Sequence, residues 1–87
     1  MKTISVVIPA YNEERFIGTL LEKIRSVPLD QVDFRADIVV VDDGSKDRTS
    51  EIASAVPGVR CFRQANAGKG AAVQAGVARA EGEYVLV

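Results

Sequence analysis

The chain has 87 residues and a formal net charge of −1, with 47% hydrophobic and 26% charged residues, so it supports one small globular core at most. Acidic and basic residues are interspersed, which excludes an electrostatic footprint for nucleic acid or an anionic membrane. One cysteine and no histidine exclude disulfide scaffolds, zinc sites and histidine-activated nucleophiles.

The first predicted unit is a strand followed by a helix. Residues 4–8 form a short β-branched apolar run, which predicts a strand covered on both faces and ended by Pro9. Apolar residues then recur at helical spacing from Glu13, with Asn12 placed to cap the helix and Pro28 beyond its end. The apolar positions of this helix are Phe16, Ile17, Leu20, Leu21 and Ile24.

The strand and helix pattern repeats twice, and a fourth strand begins. Residues 36–41 predict the second strand and residues 42–47 a turn, with Asp47 as the N-cap of a helix that runs to Pro57. The remaining predicted elements are a strand at 59–62, a glycine-rich turn at 66–70, a helix at 71–80 and a strand at 84–87.

The order βαβαβαβ with short connections predicts an α/β fold with a mainly parallel sheet, right-handed crossovers and helices on both faces. We therefore expect a Rossmann-like three-layer α/β/α half-domain over residues 1–87. A sheet order of 3-2-1-4 would leave the fourth strand as an unprotected edge, which predicts self-association through that edge. Ligands of such sheets bind beyond the carboxyl ends of the strands, so the loops after these ends are the candidate site.

The loop after the second strand is the most polar of these loops. Asp42 and Asp43 follow directly on the strand, and Gly44 can turn the backbone sharply. An ionised carboxylate accepts hydrogen bonds from ribose hydroxyls or a base N–H, so one of the two can face a nucleotide while the other braces the loop. The alternative is that both carboxylates only cap the turn and the next helix.

The loop after the first strand contains Pro9, Ala10, Tyr11 and Glu13. It has neither the Gly-x-Gly-x-x-Gly pattern of dinucleotide-binding domains nor a Walker loop. Tyr11 offers an aromatic ring for a base pocket, and Glu13 a carboxylate within reach of a ribose. The alternatives are that Tyr11 is a packing residue and that Glu13 is a favourable charge in the first helical turn.

The third loop, residues 66–70, is similar to a phosphate loop without matching one, because the Walker spacing of glycines is absent. Lys69 can approach a nucleotide phosphate or cover the surface. The small residues after it predict close packing of the third helix on the sheet.

Three blocks in order at these positions resemble glycosyltransferase family 2, especially its dolichol-phosphate mannose synthase and polyprenyl-phosphate glycosyltransferase branch. The blocks are Val6 to Glu13, Val39 to Ser45 with Asp47 and Thr49, and Asn66 to Gly70 with Gly82-Glu83-Tyr84. The resemblance covers essentially the whole chain.

The resemblance implies the N-terminal part of a GT-A fold and transfer of a sugar, with inversion, from a UDP- or GDP-sugar to an acceptor, such as a polyprenyl phosphate. It implies that Pro9, Ala10, Tyr11, Glu13 and Lys69 contact the nucleotide-sugar. It implies that Asp43, assisted by Asp42, contacts the base. It also implies Mg²⁺ or Mn²⁺ held by an Asp-x-Asp motif and an acceptor-activating base, both expected beyond Val87. We therefore expect a truncated domain that binds no metal and is inactive by itself, since a metal contributes several kcal/mol to such a transition state.

Two other functions compete with this one. A non-catalytic nucleotide-binding or scaffold module would keep the fold without the chemistry. An NAD-dependent half-domain with Asp42 on a ribose is disfavoured by the missing glycine pattern. The N-terminal segment has neither the length nor the composition of a signal peptide. We therefore expect a cytoplasmic location and no membrane contact by these residues, with a longer protein at the cytoplasmic face of a membrane.

Overall fold

A computed structural model describes residues 1–87. It contains four strands, β1 Lys2–Ala10, β2 Phe34–Asp43, β3 Val59–Gln64 and β4 Tyr84–Leu86, and three α-helices, α1 Ile17–Arg25, α2 Thr49–Ala55 and α3 Lys69–Arg79, with a 3₁₀ turn at Leu29–Val32. None of the helices has the length and hydrophobicity needed to cross a lipid bilayer.

All four strands are parallel and lie in the order β3-β2-β1-β4. The predicted βαβαβαβ order, the parallel sheet and the edge position of β4 are therefore confirmed. The long, apolar β1 and β2 are central, and for β1 this confirms the predicted strand covered on both faces.

The core forms two layers because successive strand residues point to opposite faces of the sheet. The larger layer packs under α1 and α2, and its members are Ala10, Ile17, Leu21, Ile38, Val40, Ala53 and Val56. The smaller layer packs under α3, and its buried members are Val39, Val41 and Ala72. These two layers confirm the three-layer α/β/α architecture.

Helix α3 lies close to the sheet because its inward face carries small residues. A Cβ atom at Gly76 would overlap the Cγ1 atom of Val7 on β1 and lie 3.3 Å from Cγ2 of Val41 on β2. The predicted close packing of this helix is confirmed, and it sets the height of α3 above the sheet.

A partly buried polar cluster joins β3, β2 and β1 to the turn before β4. The Arg60 guanidinium donates to both carboxylate oxygens of Asp37, at 2.9 Å each, and the Ser5 hydroxyl donates to Oδ2 at 2.7 Å. The backbone N–H of Glu81 donates to the same Oδ2 atom, and that of Gly82 to the Ser5 hydroxyl. Burial by itself raises the pKa of Asp37, but these bonds outweigh it and hold the pKa below the ordinary value.

Several boundaries differ from the predictions. Strand β1 continues through Pro9 to Ala10. This is tolerated because β4 pairs with β1 only as far as Val6, which leaves one side of β1 without a ladder partner at Pro9. Strand β2 includes both Asp42 and Asp43, which were predicted to lie in the turn.

The predicted start of the first helix is wrong. Helix α1 begins at Ile17 with no side-chain cap, because residues 13–16 form a separate turn in which the Phe16 N–H donates to the Glu13 carbonyl. Asn12 adopts a left-handed conformation with φ of 52°, and its side chain accepts a bond from the Lys46 amide instead of capping α1.

The predicted N-cap of the second helix is wrong by one residue, because the helix begins at Thr49 and its N-cap is Arg48, which makes no side-chain cap bond. The Asp47 Oδ1 atom accepts hydrogen bonds from both the amide and the hydroxyl of Thr49. The hydroxyl bond is the main cause that holds the pKa of Asp47 below its ordinary value; burial opposes it, and the amides of Thr49 and Glu14 add to the decrease. Asp47 therefore lies one residue before the N-cap and bonds to the first residue of the helix from there.

Candidate functional site

A cleft of about 390 Å³ opens at the carboxyl ends of β1 and β2 and at the start of α3. Its lining residues are Pro9, Ala10, Tyr11, Glu13, Asp43, Asn66, Gly68, Lys69 and Ala72. The cleft therefore brings together the residues predicted from three separate loops, with the exception of Asp42. It lies where open parallel sheets bind their ligands.

One wall of the cleft comes from the end of β1 and the loop after it. Pro9 and Ala10 are the last residues of the strand, and Tyr11 and Glu13 follow directly. Tyr11 is 45% exposed, so it is available to a ligand and is not a core packing residue. A planar aromatic group beside an open cleft suits the face of a nucleotide base.

The floor contains Asp43, the last residue of β2. Its Oδ1 atom accepts bonds from the side-chain amide of Gln64 at 2.8 Å and the Ala67 N–H at 2.9 Å. Its Oδ2 atom accepts bonds from the Gly68 N–H at 2.9 Å and the side-chain amide of Asn66 at 3.3 Å. Asp43 therefore anchors the loop between β3 and α3 onto the end of β2.

The same bonds determine the charge of Asp43. The bond from Gln64, followed by that from Ala67, lowers the pKa of this carboxyl, with burial opposing and Gly68 adding to the decrease. The carboxylate is thus ionised at neutral pH. Because a carboxylate has about four acceptor positions, a new donor at Asp43 must replace or share one of these partners.

Asp42 lies below the cleft and not in its wall. Its side chain is fully buried, and its Oδ1 atom accepts a 2.9 Å bond from the Ser45 amide, which braces the turn after β2. Its Oδ2 atom has no hydrogen bond, and the nearest cation is the Arg63 Nη1 atom at 3.9 Å. The structure therefore places Asp42 behind Asp43, without access to a ligand in the cleft.

Gly44 lies at a close contact between the second and third loops. It has a φ of 78°, in the region that favours glycine, and a Cβ atom here would lie 2.7 Å from the backbone nitrogen of Asn66. The sharp turn predicted at Gly44 is confirmed. Its lack of a side chain also lets the loop after β3 close onto β2.

The third loop delivers a positive charge to the other wall. Lys69 is the first residue of α3, and the helix begins after Gly68, which has a φ of 99°. A cation at a helix N-terminus opposes the helix dipole and slightly destabilises the helix by itself. The Lys69 ammonium and the first amides of α3 therefore both favour an anionic group in the cleft.

Three lining residues, Asn66, Gly68 and Ala72, were not among the predicted site residues. Asn66 and Gly68 lie in the glycine-rich segment that contains Lys69, so this segment was the signal for both. Ala72 lies on the same helical face as Lys69, three residues later, and its small side chain keeps the floor open.

The residues of this chain do not fit a divalent cation. No group of three or more His, Cys, Asp or Glu side chains comes together in the structure. The cleft has two carboxylates, Glu13 and Asp43, and N–H groups already occupy both oxygens of Asp43. Mg²⁺ requires near-octahedral coordination by oxygen, which this arrangement does not supply.

A family model described as Glycosyl transferase family 2 matches residues 5–87. The chain belongs to glycosyl transferase family 2. This membership confirms the resemblance seen in the sequence, and it argues against the dinucleotide-binding alternative.

The curated proteins similar to this chain include transferases of two kinds. A dolichyl-phosphate beta-glucosyltransferase from Trichomonas vaginalis is 40% identical over 97% of this chain and 29% of its own length. An undecaprenyl-phosphate 4-deoxy-4-formamido-L-arabinose transferase from Aeromonas hydrophila is 37% identical over 99% of this chain and 28% of its own length. This chain thus spans less than a third of the length of each of these relatives.

A solved structure of residues 1–349 of TarS from S. aureus in complex with UDP has the same fold. It superimposes with a TM-score of 0.84 and 32% sequence identity, over 99% of this chain and 26% of the TarS chain. The likeness confirms the GT-A type of α/β fold that the family resemblance implied.

Proposed function

We propose that residues 1–87 form the nucleotide-binding part of a glycosyltransferase that transfers a sugar from a UDP- or GDP-sugar to an acceptor. The observation that carries the proposal is the cleft itself. It joins an aromatic ring, two carboxylates and a lysine at the carboxyl edge of a parallel sheet. Membership of family 2 and the likeness to a UDP-bound structure support UDP as the first nucleotide to test.

Each wall residue has a distinct proposed role. Tyr11 packs against the base, with Pro9 and Ala10 forming the rest of that wall. Glu13 accepts hydrogen bonds from ribose hydroxyls, since an ionised carboxylate is an acceptor only. Lys69 pairs with the diphosphate, which the N-terminus of α3 also favours.

Asp43 is proposed to accept a hydrogen bond from the base N–H. Its weakest present partner is the side-chain amide of Asn66, whose 3.3 Å bond is the longest of the four. The base N–H would therefore replace or share this bond, while the amides of Ala67 and Gly68 keep the loop in place. Asp42 contributes indirectly, because it braces the turn that follows Asp43.

The acceptor is proposed to be a polyprenyl phosphate, on the grounds that the names of similar relatives specify dolichyl and undecaprenyl phosphate. A transferase of this kind would work in the cytoplasm, at the face of the membrane that holds the lipid. The Mg²⁺ or Mn²⁺ implied by the family resemblance is proposed to bind to residues outside this segment, since the cleft does not fit a cation.

The edge strand β4 supports a further proposal, which is self-association. Its outer edge has no partner, and its three residues, Tyr84, Val85 and Leu86, are each about half exposed. Pairing of two such edges would satisfy their backbone groups and cover these apolar side chains. Light scattering after size exclusion, which should show a dimer at high concentration, tests this; a clean monomer would contradict it.

Calorimetric titration of the chain with UDP, GDP and NAD⁺, each with and without Mn²⁺, tests the nucleotide proposal. We expect saturable binding of UDP or GDP, no binding of NAD⁺, and little effect of Mn²⁺, because the cleft does not fit a cation. Equal binding of NAD⁺, or no binding of either nucleoside diphosphate, would refute the proposal.

A further inference from the structure

Consecutive hydrogen bonds join the loop after β1 to the segment after β2. The side chains that take part in these bonds do not line the cleft. Three successive backbone amides of the first loop each donate to a side chain of the second loop or of the first residue of α2. The pairs are Asn12 N to Ser45 Oγ at 2.8 Å, Glu13 N to Thr49 Oγ1 at 2.8 Å and Glu14 N to Asp47 Oδ2 at 3.2 Å.

In two further bonds, a backbone amide of the second loop donates to a side chain of the first. The Lys46 amide donates to the Asn12 side chain at 2.9 Å, and the Arg48 amide donates to the Glu14 carboxylate at 3.2 Å. The two loops therefore satisfy each other's backbone groups reciprocally. Such side chain to backbone bonds fix the path of a loop that has no regular structure of its own.

The acceptor hydroxyls are buried. Ser45 is 1% exposed and Thr49 fully buried, and neither lines the cleft. The Thr49 hydroxyl donates its own proton to Asp47 Oδ1, which leaves its lone pairs facing the Glu13 amide. Burial therefore keeps both hydroxyls out of contact with a ligand in the cleft.

We propose that Ser45 and Thr49 are positioning residues, which hold Tyr11 and Glu13 in the wall of the cleft. Tyr11 precedes the first bonded amide, and Glu13 supplies the second, so the backbone of this wall is set by the two hydroxyls. Removal of either hydroxyl leaves a backbone N–H without its partner and frees the wall to move. The inference deepens the proposed nucleotide-binding function and rests on it for its consequence for affinity.

The hydrogen-bonding half of the proposal is tested without nucleotide. Amide hydrogen exchange is measured by NMR on the full chain and on Thr49→Val, Thr49→Ser and Ser50→Ala. Thr49→Val should speed exchange of the Glu13 amide by about tenfold, the effect of losing one hydrogen bond. Thr49→Ser keeps the hydroxyl and should restore slow exchange. Ser50→Ala is the matched control, because its hydroxyl contacts only Cys61 Sγ, at 3.8 Å.

If Thr49→Val does not fold, Ser45→Ala with the Asn12 amide as its reporter provides the same test. Unchanged exchange of the reporter amide in a folded variant would overturn the proposal. So would faster exchange that the Thr49→Ser variant fails to reverse.

The positioning half is tested with UDP. Thr49→Val should weaken binding of UDP roughly fivefold to tenfold, while Thr49→Ser and Ser50→Ala stay within about twofold of the wild type. Faster exchange with unchanged UDP affinity would overturn the positioning role. If the wild type itself binds no UDP, the proposed function fails together with this half, whereas the exchange data still decide whether the hydroxyls hold the loop.

Discussion

Gly76→Ala is predicted to destabilise the chain, although alanine is the better helix former. The added Cβ would overlap Val7 Cγ1 and lie 3.3 Å from Val41 Cγ2, so α3 must move away from the sheet or Val7 must leave its rotamer. Overpacking of this kind costs about 1–3 kcal/mol, and the upper part of the range applies here because Val7 is buried and β-branched. The higher helix propensity of alanine than of glycine offsets about 1 kcal/mol of this cost.

The net expectation is a loss of about 2 kcal/mol, which corresponds to a fall in Tm of roughly 8–16 °C for a chain of this size. Gly70→Ala is the matched control in the same helix, because a Cβ there meets nothing within 4 Å. It should be neutral or stabilise the chain by up to about 1 kcal/mol. Urea denaturation at pH 7 measures both changes.

The double variant Val7→Ala/Gly76→Ala separates overlap from other effects. It removes the atom with which the new Cβ collides, so Gly76→Ala should cost less in the Val7→Ala background than in the wild type. A Gly76→Ala chain as stable as the wild type, or an equal cost in both backgrounds, would refute the account of how α3 is seated. Since α3 carries Lys69 and Ala72 into the cleft, Gly76→Ala should also weaken UDP binding.

Three other predictions concern the charged groups. Lys69→Ala should raise the Kd for UDP roughly tenfold in calorimetry, and affinity should become less sensitive to salt, whereas Lys46→Ala, outside the cleft, should leave both unchanged. Asp43→Asn should speed NMR-detected exchange of either the Ala67 or the Gly68 amide, because the two amides donate to different oxygens of Asp43 and one of these becomes an NH₂ group; protection of both amides equal to the wild type would contradict its anchoring role. Asp37→Asn should lower stability to urea at pH 7. That difference should shrink below about pH 4, because a carboxyl with a depressed native pKa stabilises above its unfolded pKa and loses this effect as pH falls through the native value.

The strand and helix order could be predicted because each apolar run has a length and spacing that only one element fits. The parallel sheet followed from that order, and the carboxyl ends of its strands located the cleft. The predicted start of the first helix was wrong because a side chain there has a partner far away in the sequence. Asn12 looks like a helix cap, yet its side chain accepts a bond from Lys46, 34 residues later.

The candidate site could also be predicted only in part from the sequence. Tyr11 and Lys69 could be assigned to the cleft because each follows directly on a predicted strand end or glycine-rich turn. The different positions of Asp42 and Asp43 could not be assigned, since adjacent strand residues face opposite sides and the sequence does not say which side holds the third loop. Nor could the pattern show that Asp43 is occupied by three N–H donors of that loop and by the side-chain amide of Gln64 at the end of β3.

The central claim, that the cleft binds a nucleoside diphosphate, is tested most directly by an NMR titration of the chain with UDP. The account predicts saturable shifts of the amides of Tyr11, Gly68 and Lys69. It predicts none at Ala36 and Gly58, which line a separate hollow of about 400 Å³ near the start of β2. Saturable shifts confined to Ala36 and Gly58, or no saturable shift at all, would contradict it.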